Sequence, residues 1–424
     1  MSDPQAPPRT ARSTSPGRPS ALRRATGRYA QAFAIPGSLA FSSSGWIGRF
    51  PKGSLAIGVL VMVTNVSGSY ALGGAVSGTL TLSLAAAGPL WSRVMDRWGQ
   101  RRALALSLPL LVAASLGLVA AVLLGAPVWT WFALAVVAGV SVIDIGSAVR
   151  SRWSAATSDP GLRHTAYSVE SVADEAAFVV APPVVTLLAT LVHPAAGVVV
   201  GLGIGVVGGV ALLAQVGTQP PLATAPANRT RERVRLPLAL AGIVAVFAAI
   251  GGVFGSFNVA AIATAEAAGA EAASGLLLSA YSIGSVLTGV VVGAAHLPGT
   301  PRSRFIVAGL VFGVVVPVLL LAGSLPVLAV LAFVAGLATS PLLITGSSLV
   351  ETISPRRRLT EALAWPPTGL ALGVTAGSAL SGLAVESAGP QSGFTVTASA
   401  AALGALLALA TALALRTRPL STAG

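Results

Sequence analysis

The residues able to carry chemistry in this chain are few, and they sit inside long uncharged runs. Arg49 and Lys52 interrupt one apolar stretch, Asp144 a second, and Glu170, Asp174 and Glu175 a third. Glu170 and Asp174 are four residues apart, which puts them on one helical face with Glu175 beside it. An ionisable side chain at the centre of a bilayer costs roughly 2.5–3.5 kcal/mol or more, so its presence there points to function. Such groups offer ion pairing and proton exchange: a buried acid beside a cation stays ionised, whereas an isolated one takes up a proton. A carboxylate that alternates between these situations couples a proton to movement. The static alternative is a network that only ties helices together. Other chemistries lack their parts. There is no Cys, hence no disulfide, Fe–S cluster or thiolate metal site. The three histidines, His164, His193 and His296, fall at loops, and no Ser-His-Asp set or phosphate loop is visible. The chain is therefore not expected to be an enzyme, and neither metal nor cofactor is expected.

These groups must be positioned by elements that a bilayer dictates. Of 424 residues 54% are hydrophobic and 9% charged, with a mean hydropathy of +0.83; ordinary soluble domains carry about 25% charge. Crossing about 30 Å of hydrocarbon takes about 20 apolar residues, and helices satisfy their own backbone. The sequence predicts an all-α membrane protein of twelve transmembrane helices, over 37–66, 70–91, 103–125, 128–149, 166–191, 195–216, 237–264, 272–295, 304–323, 326–348, 361–384 and 392–415. The net charge of +13 is not a nucleic-acid signal, because every cation except Arg49 and Lys52 lies in a short cluster in a tail or in alternate loops. That segregation predicts both termini in the cytoplasm and a multi-pass protein of the cell inner membrane.

The Pro-, Thr- and Arg-rich segment 217–236 separates two six-helix bundles, 37–216 and 237–415, flanked by a basic tail over 1–36, expected to be disordered, and a short tail over 416–424. The bundles repeat weakly at an offset of about 195 to 201 residues: Ala71-Leu72-Gly73-Gly74 matches Ala272-Ala273-Ser274-Gly275. Two related halves joined by a linker are a transporter plan, with the substrate near mid-membrane between them.

Between the second and third spans the chain reads Ser92-Arg93-Val94-Met95-Asp96-Arg97-Trp98-Gly99-Gln100-Arg101-Arg102. This resembles the cytoplasmic signature of the major facilitator superfamily, a small residue followed by Asp-Arg, a spacer, Gly and basic residues. Ser92 stands where Gly usually opens the motif, and Gln100 interrupts the basic run. Asp96 at a helix end can accept charge-assisted hydrogen bonds from arginines or a neighbouring helix N-terminus, and Gly99 permits the reversal. The resemblance implies a gating latch built from Asp96, Arg97, Gly99, Arg101 and Arg102, and it covers essentially the whole chain. It is nearest to bacterial drug and sugar efflux members.

At about 1.5 Å per residue, Arg49, Asp144 and Asp174 reach similar depths of about 9 to 18 Å from the basic side and can meet. Arg49 is expected to point into the central cavity, and Glu170, one turn inside, to sit at the cytoplasmic mouth. Phe178-Val179-Val180-Ala181-Pro182-Pro183 is similar to the glycine- and proline-rich stretch of antiporters in that superfamily, with the signature glycines absent and Ala181 before the proline; Pro182 and Pro183, like Pro366 and Pro367 after Trp365, are expected to bend their helices. Asn258 is placed to touch substrate or a neighbouring helix.

The expected function is a secondary transporter working by alternating access, a proton-driven antiporter exporting small organic molecules, with the proton gradient as energy source and no cofactor. Its partners would be a small-molecule substrate and the lipid bilayer, not nucleic acid, and a monomer is expected. The alternatives are uptake or exchange of an anionic metabolite or sugar, with Arg49 and Lys52 as counter-ions, and a receptor or scaffold that keeps the fold without transport.

Overall fold

A computed structural model describes residues 29–221, 238–294, 298–354 and 359–415. Twelve helical segments are long and apolar enough to cross a membrane, from Ser38–Ser67 to Pro390–Ala414. They coincide with the twelve predicted spans, and no strand occurs among the described residues. The second and fourth run further than expected, to Trp98 and Ala156.

Several spans are built from two pieces. The first consists of α1 (Ser38–Gly48) and α2 (Phe50–Ser67), which meet at Arg49. Next come α3 (Tyr70–Trp98) and α4 (Gln100–Leu123). The fourth span was expected to be continuous. It is instead α5 (Val128–Ser141) and α6 (Ile145–Ala156), separated by extended backbone at Val142 and Asp144. Then follow α7 (Pro160–Leu191), α8 (Ala196–Ala214), α9 (Leu238–Ala267), α10 (Ala273–Ala294) and α11 (Pro301–Val315). The tenth span is also broken, between α12 (Leu325–Leu337) and α13 (Thr339–Ile353). Its break at Ala338 falls close to one repeat offset after Val142, so the interruption belongs to both halves. The chain ends with α14 (Leu359–Ala388) and α15 (Pro390–Ala414).

At the break between α5 and α6 a freed carbonyl finds a side-chain donor, as a lipid-embedded backbone requires. Val140 loses its helical partner where α5 stops, and its carbonyl accepts from Trp91 Nε1 at 2.6 Å. At the second break, Tyr281 Oη and Thr339 Oγ1 lie 2.7 Å apart, as do Ser285 and Ser340.

Each half has its own apolar core. One gathers Leu55, Val76, Leu118 and Trp131, another Ile250, Phe257, Phe312 and Phe394. The basic tail was expected to run to residue 36. The structure instead makes residues 29–33 helical, with Ala32 buried and Phe33 edge-on to Trp153 at 5.8 Å, so the end of that segment belongs to the first half's core.

The halves meet along α3 with α14 and along α7 with α10. A β-carbon on Gly74 would stand 2.6 Å from the Ser378 carbonyl, one on Gly382 2.5 Å from Ala71 Cα, and one on Gly275 2.3 Å from Pro183 Cα. Glycine here lets two backbones touch. Thr375 Oγ1 donates to the Gly78 carbonyl at 2.8 Å. A seam of Leu60, Val61, Ala189, Val259, Ile262, Ala263 and Val385 closes the interface. All of these contacts lie between mid-span and the end opposite the Arg clusters.

Candidate functional site

The charges of the first half converge where its helices break. Arg49, at the junction of α1 and α2, is only 2% exposed. Its Nη2 lies 2.5 Å from Glu170 Oε2, and its Nε 2.8 Å from Asp174 Oδ1. The first contact is an aligned hydrogen bond; the second is an ion pair without hydrogen-bond alignment, and Nη1 has no hydrogen-bond partner among the described residues. Glu170 is fully buried and also accepts from Ser42 Oγ at 2.6 Å and Trp153 Nε1 at 2.9 Å. Three donors on three elements thus fix one carboxylate, the arrangement a buried charge requires.

Asp174, one turn further along α7, is 16% exposed and bridges Arg49 to Arg150 of α6, whose side chain is 31% exposed. It is the member of the network that joins the buried part to solvent. Gly146, in the first turn of α6, makes room for it: a β-carbon there would stand 2.9 Å from Asp174 Oδ1 and 3.2 Å from Arg49 Nε.

A second, looser pair lies alongside. Lys52 Nζ is 3.5 Å from Asp144 Oδ1, with side chains 36% and 43% exposed. Asp144 stands at the N-cap of α6, yet its carboxylate makes no capping bond and turns to Lys52 instead. Pro51, Leu108, Leu111 and Ile143 line a small cavity with these two residues and Arg49.

The sequence-based expectations are met in part. Arg49 and Asp174 do meet, but Asp144 pairs with Lys52 and not with them. Arg49 does not point into a central cavity; it is buried inside the first half. Glu170 is not at a mouth; it is more enclosed than Asp144 or Asp174. The Glu175 side chain lies outside the described residues. Asn258 is half-buried and makes no hydrogen bond among the described residues. Pro182 and Pro183, like Pro366 and Pro367, lie within helices that run on through them. Pro183 lacks the N–H that would serve the Val179 carbonyl, and that oxygen accepts from Ser279 Oγ of the other half at 2.6 Å.

The motif between the second and third spans adopts the geometry its residues require. Gly99 has φ 85°, a conformation other residues rarely take, and reverses the chain between α3 and α4. Asp96, Arg97, Arg101 and Arg102 are exposed, and Asp96 has no ion pair among the described residues. Gln100, read as an interruption of the basic run, is buried. Its amide donates to the Ala148 carbonyl at 2.9 Å and accepts from Arg152 Nε at 2.8 Å. Arg152, one of the cations that the sequence assigns to a cluster in an alternate loop, is 1% exposed and closes the C-terminus of α8 through the Leu212 and Gln215 carbonyls, both at 3.0 Å, and Thr218 Oγ1 at 2.7 Å. No group of three or more potential metal ligands occurs among the described residues.

A cluster of buried charge inside the first half, helix breaks at matching places in both halves, and an interface closed at one end agree with what the chain resembles. The family model described as Major Facilitator Superfamily matches residues 41–264 and again 242–423. A variant of the nucleoside transporter NupG superposes with a TM-score of 0.69 at 16% identity, covering 88% of this chain and 98% of that one. A variant of the peptide transporter POT gives 0.69 at 16%, covering 92% and 98%. A POT family transporter in complex with 5-aminolevulinic acid gives 0.65 at 12%, covering 89% and 96%. No curated protein matches the sequence. The family model covers nearly the whole chain in two successive copies, and the chain belongs to the Major Facilitator Superfamily of membrane transporters.

Proposed function

We propose that this chain is a secondary transporter that moves small organic molecules by rocking its halves, driven by protons exchanged at Asp174. The observation that carries the reading is the asymmetry of the network. Glu170 is sealed behind Arg49, Ser42 and Trp153, while Asp174 links Arg49 to the part-exposed Arg150. A proton on Asp174 cancels the charge that holds two arginines together; Arg150 is then free to move with α6, which is severed from α5 by the break at Asp144. Closure at the end opposite the Arg clusters, with Asp96 exposed at the other, supports a form open toward the basic side. By the positive-inside rule that side is the cytoplasm of the inner membrane. Export is the direction proposed, supported by the proline-bearing stretch at 182–183 that resembles antiporters.

One observation favours a second reading. Lys52 and Arg150 are part-exposed cations. Two such groups suit uptake or exchange of an anion, and the protonation of Asp174 would make Arg150 available to it.

Reconstitution in vesicles separates these. Pyranine trapped inside reports proton movement when lipophilic cations, nucleosides or organic acids are added outside. Antiport moves protons against the compound's direction, anion symport with it. If no compound moves protons or itself, the transport reading fails.

A further inference from the structure

Two acids of the second half occupy the wrong end of their own helices. Glu266 lies in the last turn of α9 and Glu386 in the last turn of α14, where the helix dipole is negative, and neither turn carries a basic residue. Both are relieved by one element of the first half, the opening turn of α3. Glu386 Oε1 accepts from Ser69 Oγ at 2.6 Å and from the Ala71 N–H at 3.0 Å. Tyr70 Oη donates to Glu266. Ser69 is the N-cap of α3 and also accepts from the Leu72 N–H at 3.0 Å, so the cap and the second-half carboxylate divide the free donors of this turn. Just below, Gly382 lies against Ala71, Gly74 against Ser378 and Gly78 against Thr375, so the carboxylate tops a continuous backbone-to-backbone contact.

Asp96 is placed in the same way at the other end of α3. It too is an acid in a helix's last turn, here exposed and without an ion pair among the described residues. α3 and α14 run antiparallel, as spans two and eleven must. Glu386 therefore meets the start of α3, while Asp96 lies at the end of the pair where α14 begins, with no hydrogen bond or ion pair to it among the described residues, and rocking the halves would bring one such meeting together while parting the other.

We propose that Glu266 and Glu386 clasp the first turn of α3 and hold the halves shut at the end away from the Arg clusters, with Glu386 the reciprocal of Asp96 on the same helix pair. This rests on the moving-halves reading above. The clasp is one of the contacts that must break for the opposite opening to form. It therefore sets the balance between the two forms whatever the substrate.

The absence of Cys gives a clean background for spin labels. Val192→Cys with Ala268→Cys reports the clasped end; Ala156→Cys with Ser303→Cys reports the Arg-rich end. In lipid nanodiscs, Glu386→Ala removes a charged acceptor and is expected to raise the long-distance population at the clasped end about tenfold, with shortening at the other end. Glu386→Gln, which keeps an acceptor oxygen, and Ser69→Ala, which removes one donor, shift it the same way by less, and either serves should Glu386→Ala not accumulate. Asp96→Asn favours the clasped form. The clasp is overturned if Asp96→Asn moves the distances while the Glu386 and Ser69 variants keep the parent distributions. If no variant, Asp96→Asn included, moves either distance, the moving-halves reading fails and takes the clasp with it.

Discussion

Gly146 lies directly under Asp174, close enough that a single added methyl group would contact its carboxylate at 2.9 Å. The first turn of α6 and the acid of α7 are thus fitted to each other at the one place where the network reaches solvent. Gly146→Ala should push Asp174 off Arg49 or Arg150, costing about 1–3 kcal/mol as overpacking does. The expected outcome is a folded protein, seen by its melting in detergent, whose gradient-driven flux falls several-fold. Unchanged flux would show that the carboxylate's position does not matter.

Arg49 pairs with Glu170, and both side chains are buried. Arg49→Met alone leaves a buried carboxylate unpaired and should cost about 3–5 kcal/mol. The double replacement Arg49→Met with Glu170→Met removes both charges and should recover most of that stability. Melting curves of the two single variants and the double variant give the coupling; simple additivity would contradict the pairing.

Gln100 and Arg152 form a second buried polar joint, tying α4, α6 and the end of α8 together. Gln100→Leu strips Arg152 of a hydrogen-bond acceptor and should destabilise by about 1.5–3 kcal/mol. Gln100→Glu, which restores an acceptor with charge, should cost less. The order of the two melting temperatures is the check.

Ser279 serves a carbonyl that Pro183 cannot. Ser279→Ala should therefore cost about 0.5–1.5 kcal/mol, and less in a Pro183→Ala background, where the residue at 183 regains its own N–H. Equal costs in both backgrounds would dissociate the proline from the inter-half hydrogen bond.

The spans were legible because hydrocarbon thickness fixes helix length, and because the cations of this chain avoid alternate loops. Most of the charged residues of the network were legible too, since Arg49, Asp144, Glu170 and Asp174 stand out in apolar surroundings. Their pairing was not. Depth counted along continuous helices placed Asp144 with Arg49, but the break at Val142–Asp144 turns that acid toward Lys52, and no helix propensity announces it in a run of Val, Ser and Ile. Ser42, Trp153, Trp91 and Gly146 were missed because each acts through one contact set by tertiary packing. Gln100 carried a signal that was misread: an amide in place of a cation beside a basic run is what a buried arginine needs as a partner.

A proton on Asp174 is proposed to drive transport. The most direct measurement compares, in one set of proteoliposomes, gradient-driven accumulation with equilibrium counterflow of a compound found to move protons. Asp174→Asn should abolish the first and leave the second, since the halves still rock but no longer sense the proton. Undiminished gradient-driven accumulation in Asp174→Asn would contradict the account.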